Sequence, residues 1–117
     1  HPETSVIAVE EFGGRTFVTI DKMTSTVFNI YAESALRMFC GWDPENLDAT
    51  CNTIDRYLES QKEIRVVALL PYFVGHREEV YSTLWGFQNS RYLEIIAESE
   101  AALKDKVAAF LASRAPV

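Results

Sequence analysis

The sequence predicts an α+β fold in which helices pack on one face of a mainly antiparallel sheet, forming a two-layer sandwich. Two β-rich runs flank a Gly-Gly pair, two long segments repeat apolar residues at helical spacing, and residues 64–70 are continuously apolar. The predicted order of elements is ββααβββα. We find no internal repeat and no long linker, so we expect residues 1–117 to form a single domain.

The clearest local signal is a hairpin formed by residues 5–12 and 15–21 around Gly13-Gly14. A two-residue loop of type I′ needs positive φ at both positions, and glycine adopts that conformation without steric cost. This register places one mostly apolar set of side chains toward the core and leaves a mixed set on the other face. The predicted inward residues are Ile7, Val9, Val18 and Ile20.

Two helices are predicted to follow this hairpin. The first is capped by Thr24 or Ser25 and continues to about Cys40. The second begins at Asp43-Pro44, because aspartate is a good N-cap and proline is tolerated in the first helical turn. Its apolar stripe leaves an acidic outer face, and this face could steer a basic partner. The acidic residues are Glu45, Asp48, Asp55 and Glu59.

The second half of the chain is predicted to contain three more strands and a final helix. Residues 64–70 have the length and β-branched content of a central strand, and Pro71 should end its regular pairing. Residues 80–87 and 92–97 are predicted to form a second hairpin, although residues 77–87 could instead be a short helix. Ser99 is the predicted cap of the last helix, whose apolar stripe comprises Leu103, Val107, Phe110 and Leu111.

Aromatic residues concentrate in this second hairpin. With Asn89-Ser90 as its turn, Phe87 faces Tyr92 and Trp85 faces Glu94. Both faces of the hairpin are then apolar, and three helices cannot cover both faces of a five-stranded sheet. Large aromatic residues are enriched at the centres of protein interfaces. The predicted partner-binding residues on this face are Tyr81, Trp85, Phe87 and Tyr92.

Charge and cysteine content restrict the class of partner and the compartment. The formal net charge of −6 disfavours nucleic acids and anionic membrane surfaces, and no apolar run is long enough to span a bilayer. With only Cys40 and Cys51, the chain is not a disulfide scaffold, so we expect a cytoplasmic, reducing environment. The start at His1-Pro2 is typical of a tag remnant or of a domain cut from a longer polypeptide.

No sequence motif for catalysis, metal binding or cofactor binding is found, and we predict no cofactor and no metal site. Cys40 and Cys51 are predicted in environments that disfavour a thiolate. We therefore expect a non-catalytic protein-interaction module, regulatory or inhibitory, that could associate with itself through a sheet face or edge. The alternative is a small-molecule-binding domain or a small acid–base enzyme, whose pocket between sheet and helices uses His76 and Glu94.

Overall fold

The structure is a computed structural model that describes residues 2–23, 29–75, 80–82, 87–89 and 91–114, with the backbone alone described for 80–82 and 87–89. Within these ranges it contains strands and helices, which confirms the α+β class. The elements in chain order are β1 (Val6–Phe12), β2 (Arg15–Ile20), α1 (Glu33–Phe39), α2 (Ile54–Ser60), β3 (Val66–Leu70), β4 (Val80–Ser82), β5 (Phe87–Asn89) and α3 (Tyr92–Arg114).

The described strands form two sheets rather than one. The first is a three-stranded antiparallel sheet with the order β1-β2-β3. The second is a two-stranded antiparallel sheet, in which Val80 of β4 lies opposite Asn89 of β5. The described residues therefore do not form the single five-stranded sheet on which the predicted two-layer sandwich depends.

The chain divides into two compact units, each built from two segments. The first unit comprises His1–Ser5 and Ile20–Val66, and the second comprises Val6–Thr19 and Val67–Val117. The fold of a single domain over residues 1–117 stays a prediction, and each unit is described below by itself.

The N-terminal hairpin is confirmed, with β1 and β2 within one residue of the predicted bounds. Gly13 and Gly14 have φ angles of +58° and +73°, which are the positive values that a type I′ turn requires. The hydroxyl of Thr16 donates to Oε1 of Glu11 at 2.6 Å, which fits the predicted register because it places these residues opposite each other. Of the residues predicted to point inward, Val18 and Ile20 are buried, and Ile7 and Val9 are half-buried.

Helix α3 packs against β1, on the side of the sheet where Glu11, Thr16 and Leu70 line a groove with it. Its inward side repeats at intervals of three and four residues, which is the spacing of a single helical stripe. The buried and half-buried residues of this stripe are Tyr92, Ile96, Glu100, Leu103, Val107 and Phe110. Leu103 and Val107 pack in the core of the second unit together with Val18 and Leu70. Leu111, predicted to belong to the stripe, is instead exposed.

The helical start of α3 corrects the predicted strand at 92–97 and the predicted cap at Ser99. Both errors arise because Tyr92-Leu-Glu-Ile-Ile is rich in residues that favour strands, although Tyr92 and Ile96 also continue the helical spacing of the later stripe. Tertiary contacts support the helix here. The backbone N–H of Tyr72, just after β3, donates to Oε2 of Glu100 at 3.0 Å, and its hydroxyl lies 3.0 Å from the Ser99 hydroxyl.

In the first unit, both predicted helices are much shorter than expected. Helix α1 begins at Glu33, residues 29–32 are not helical, and residues 24–28, which include the predicted caps, lie outside the described residues. Helix α2 begins at Ile54, where the Thr53 hydroxyl accepts a hydrogen bond from the N–H of Arg56. The second helix was therefore predicted about ten residues too early.

A loop held by side-chain hydrogen bonds occupies residues 43–53 in place of that helix. Oδ1 of Asp43, Asn46 and Asp48 each accept the backbone N–H two residues further on. Nδ2 of Asn52 donates to the carbonyls of Asp43 and Asn46, at 2.6 and 2.7 Å, and the indole of Trp42 donates to the carbonyl of Asn52. Aspartate and asparagine compete with helical hydrogen bonding in this way, which explains the correction.

The turn between β1 and β2 gives a first prediction. Gly14→Ala should lower the free energy of unfolding by about 1 kcal/mol, because an L-residue is strained at positive φ. Gly75→Ala is the matched control: Gly75 has no positive φ, and an added Cβ meets nothing within 4 Å. Urea denaturation of both variants measures the difference. Equal stability of the two variants would show that the turn conformation is not strained.

The carboxylate of Glu100 gives a pH-dependent prediction. Its hydrogen bonds with the Lys104 ammonium and the Tyr72 N–H lower its pKa in the folded protein. The stabilisation is therefore fully present above the ordinary glutamate pKa of about 4.3 and disappears as the pH falls through the lower folded value. Glu100→Gln should reduce the thermal midpoint at pH 7 and weaken the loss of stability below about pH 5.

Glu98→Gln is the control for this effect, since Glu98 is an exposed glutamate of the same helix that makes neither of these bonds. Thermal unfolding followed by circular dichroism from pH 3 to pH 7 compares the three proteins. If Glu98→Gln and Glu100→Gln change the acid limb equally, the contacts of Glu100 do not anchor α3.

Candidate functional site

The residues predicted to form an aromatic contact face are not on one hairpin. Tyr81 and Phe87 lie in β4 and β5, where the backbone of Phe87 pairs with that of Ser82. Tyr92 lies at the start of α3 and is half-buried, while Trp85 lies outside the described residues. The predicted cross-strand pairing of Phe87 with Tyr92 is wrong, because the chain turns into a helix before Tyr92.

The four acidic residues do not form one helix face. Glu45 and Asp48 lie in the loop of residues 43–53, where Oδ1 of Asp48 accepts hydrogen bonds from the N–H and the hydroxyl of Thr50. These bonds lower the pKa of Asp48. On α2, Asp55 is half-buried, and Glu59 is paired with Arg56 at 2.7 Å. The role of these acids in steering a basic partner stays a prediction.

The two residues of the alternative pocket are not brought together by the described structure. His76 lies outside the described residues, and Glu94 is an exposed residue of α3 whose carboxylate is 3.6 Å from Nε of Arg91. A groove of about 330 Å³ does exist between the β1-β2-β3 sheet and α3. Its lining residues are Glu11, Thr16, Leu70, Pro71, Lys104, Val107, Ala108 and Leu111. Glu94 is not among them.

The polar groups of that groove are already used within the protein. Glu11 accepts the hydroxyl of Thr16, and the ammonium of Lys104 donates to Glu100. A polar ligand would have to displace one of these contacts, so the groove offers packing surface rather than a convergent set of catalytic groups.

The other face of the β1-β2-β3 sheet carries exposed apolar residues. Because side chains alternate along a strand, the residues next to the inward ones point to this second face. Glu10, Phe12, Phe17, Thr19 and Val67 line a shallow groove of about 240 Å³ on it. Phe12 is 78% exposed and Val67 is 62% exposed, whereas Val18 on the covered face is 0% exposed. We call these five residues together with Arg15 the open face.

Arg15 places a positive charge at the end of the open face. On β2, Arg15 lies two residues before Phe17 and four before Thr19, so alternation along the strand assigns its side chain to the same face. Its guanidinium carbon lies 5.6 Å from the ring centre of Phe73. This distance is typical of a cation–π contact, which holds the guanidinium near a second exposed aromatic ring. Glu10 supplies a negative charge on the neighbouring strand. The open face therefore combines apolar side chains with one charge of each sign.

The described titratable groups do not point to a nucleophile. Cys51 is exposed overall, but loss of solvent around its sulfur raises the pKa of the thiol, and the carboxylate of Asp48 raises it further. A raised pKa keeps the group as a thiol at neutral pH, which makes it a poor nucleophile. Within the described ranges, we find no cluster of three or more histidine, cysteine, aspartate or glutamate residues that could hold a metal ion.

No protein-family model matches this sequence, and no curated protein or solved structure is significantly similar to it. In the described part of the chain, no helix combines the length and the apolar character needed to cross a membrane.

The predicted register places Phe12 and Phe17 on the mixed face of the first hairpin, but the sequence analysis proposed no binding role for that face and did not single out Val67. The signal was nevertheless present. Strand β3 is apolar on both faces, and a strand of that kind requires cover on both sides. Combining β3 with the mixed face of the hairpin would have indicated an apolar surface there.

One substitution made at two positions tests whether the open face is needed for folding. Val→Thr keeps the shape and the β-branching of the side chain but adds a hydroxyl. Val67→Thr should change the free energy of unfolding by less than about 0.5 kcal/mol, because solvent can hydrate the new group. Val18→Thr should cost about 2 kcal/mol, because it buries a hydroxyl in an apolar core. Urea denaturation measures both, and equal losses would mean that Val67 is part of the core.

Proposed function

We propose that the chain is a non-catalytic protein-recognition module and that the open face is its contact surface. The observation that carries this proposal is the exposure of Phe12 and Val67 beside Phe17 on a sheet whose opposite face is covered by α3. A contiguous exposed apolar surface with polar residues at its margin is typical of interaction sites on soluble proteins. A regulatory or inhibitory role, in the reducing cytoplasm that two free cysteines suit, belongs to the same proposal.

The exposed apolar side chains of this surface contribute part of the free energy that recognition requires. Complete burial of a Phe or Val side chain contributes roughly 1.5 to 3 kcal/mol. Because Phe12 is 78% exposed and Val67 is 62% exposed, together they offer about 2 to 4 kcal/mol before the cost of association is subtracted. Because Phe12 and Val67 lie outside the buried core, a role in binding does not conflict with the stability of the fold.

Small-molecule binding or acid–base catalysis in the groove between the sheet and α3 has weaker support. The polar groups there, Glu11 and Lys104, are engaged by Thr16 and Glu100. The groove is lined mainly by aliphatic side chains, and each of its two charged groups is held by a hydrogen bond to another residue. The open face, by contrast, leaves large apolar groups in contact with solvent.

Photo-crosslinking tests the contact surface directly. The photoreactive residue benzoylphenylalanine replaces Val67 on the open face or, as a control, Ala109 on the exposed side of α3. We expect crosslinks to protein from position 67, identified by mass spectrometry of the joined peptides, and at least fivefold fewer from position 109. Adding Phe12→Ser should abolish the crosslinks at position 67, because it removes the largest exposed apolar side chain from that face.

The peptide identified in each crosslink shows whether the occupant is another copy of the chain or a different protein. If position 67 forms no crosslinks, or if those it forms persist after Phe12→Ser, the open face is not a specific contact surface.

A further inference from the structure

We propose that the occupant of the open face is a second copy of this chain, bound about a two-fold axis so that Glu10 of each copy pairs with Arg15 of the other. This inference rests on the proposed function, because it names the partner of the same surface.

The charge of the open face argues for a second copy. The whole chain has a formal net charge of −6, so two copies repel each other when they meet in arbitrary orientations. By the alternation of side chains along a strand, Glu10 and Arg15 belong to the open face, and their opposite charges make it locally neutral. Two copies can therefore approach through this face without the repulsion that acts elsewhere.

The positions of the two charges suit a two-fold arrangement. In the hairpin register, Glu10 lies opposite Phe17 and Phe12 lies opposite Arg15, so Glu10 and Arg15 are diagonal neighbours roughly 7 to 8 Å apart. In a two-fold interface, a contact of residue i with residue j is repeated as j with i. One symmetry operation therefore produces two Glu10–Arg15 pairs. A uniformly acidic or basic partner would meet one charge of its own sign on this face.

The apolar residues are compatible with the same arrangement. Two sheets that pack face to face interdigitate their side chains in a layer about 10 Å thick. Phe12, Phe17 and Val67 would enter that layer, and the two charges would remain at its margin. Three strands of about six residues present a flat area of roughly 300 Å². This is small beside the roughly 800 Å² per partner of a standard interface, so we expect a weak dimer that forms at high micromolar concentrations.

Charge reversal tests the pairing. Sedimentation equilibrium of the whole chain from about 10 µM to 1 mM should show concentration-dependent dimerisation of the wild type. Glu10→Arg and Arg15→Glu should each weaken the dimer about tenfold, since each substitution converts two attractive pairs into repulsive ones. The double variant E10R/R15E should recover dimerisation. A 1:1 mixture of the two single variants should form a heterodimer, because one copy then carries two positive charges and the other carries two negative charges.

Each single variant has a control that changes the net charge equally away from the open face. Glu98→Arg matches Glu10→Arg. Arg114→Glu matches Arg15→Glu, because Arg114 also lies over an aromatic ring, with its guanidinium carbon 4.3 Å from the centre of Phe110. Thermal unfolding of all variants shows whether each is folded, and the mixture experiment requires only that the two single variants fold.

The proposal is overturned if the wild type remains monomeric at 1 mM, if the reversals weaken the dimer no more than their controls, or if the mixture fails to associate. These failures are distinguishable from failure of the proposed function. Crosslinks from position 67 to a different protein would leave the open face as a recognition surface while rejecting the second copy as its occupant. Absence of crosslinks from position 67 would reject both.

Discussion

The packing of α3 on one face of the β1-β2-β3 sheet is the contact on which the second unit depends. Alternation along a strand gives a sheet two faces, and a helix can cover only the face against which it lies. Leu103 and Val107 of α3 are buried in the second unit, as are Val18 and Leu70, and the two hydrogen bonds of Tyr72 fix the helix beside the end of β3. Phe12 and Val67 point to the other face of the sheet, so the packing of α3 leaves them exposed.

The first hairpin and a strand near residues 64–70 could be predicted because their signals are local. The prediction that this strand is central is wrong for the described sheet, where β3 lies at the edge beside β2. Gly13-Gly14 supplies a conformation that other residues avoid, and the alternation on each side of it sets the register. The apolar run at residues 64–70 has the length of a strand and is followed by Pro71, which has no backbone N–H to donate to a neighbouring strand. The predicted two-layer sandwich is not confirmed, although α3 does pack against β1 in the second unit.

The segments that were predicted wrongly depend on competing interactions whose relative strengths cannot be judged from a single sequence. Asp43-Pro44 is a good start for a helix, yet Asp43, Asn46 and Asp48 bind their own backbone, and Asn52 bonds to two carbonyls across the loop. Tyr92-Leu-Glu-Ile-Ile has strand propensity, but its contribution to the stripe of α3 and the bonds of Glu100 and Ser99 to Tyr72 favour the helix. Local side-chain bonds to the backbone therefore decided the segment at 43–53, whereas tertiary contacts decided the segment that begins at Tyr92.

From the sequence, the contact surface was predicted by residue type. In the structure, it is defined by which exposed residues lie next to one another. The sequence drew attention to the aromatic residues between 81 and 92. In the structure, Phe12 and Val67 are exposed apolar residues that line the same shallow groove, although they come from distant parts of the chain. The charges of Glu10 and Arg15 then restrict which partners the open face can bind. An entirely apolar sheet face would associate with many partners, whereas a buried charge without a counter-charge is costly. A single pair of opposite charges excludes partners that cannot match both, and a second copy of the same face matches both by symmetry.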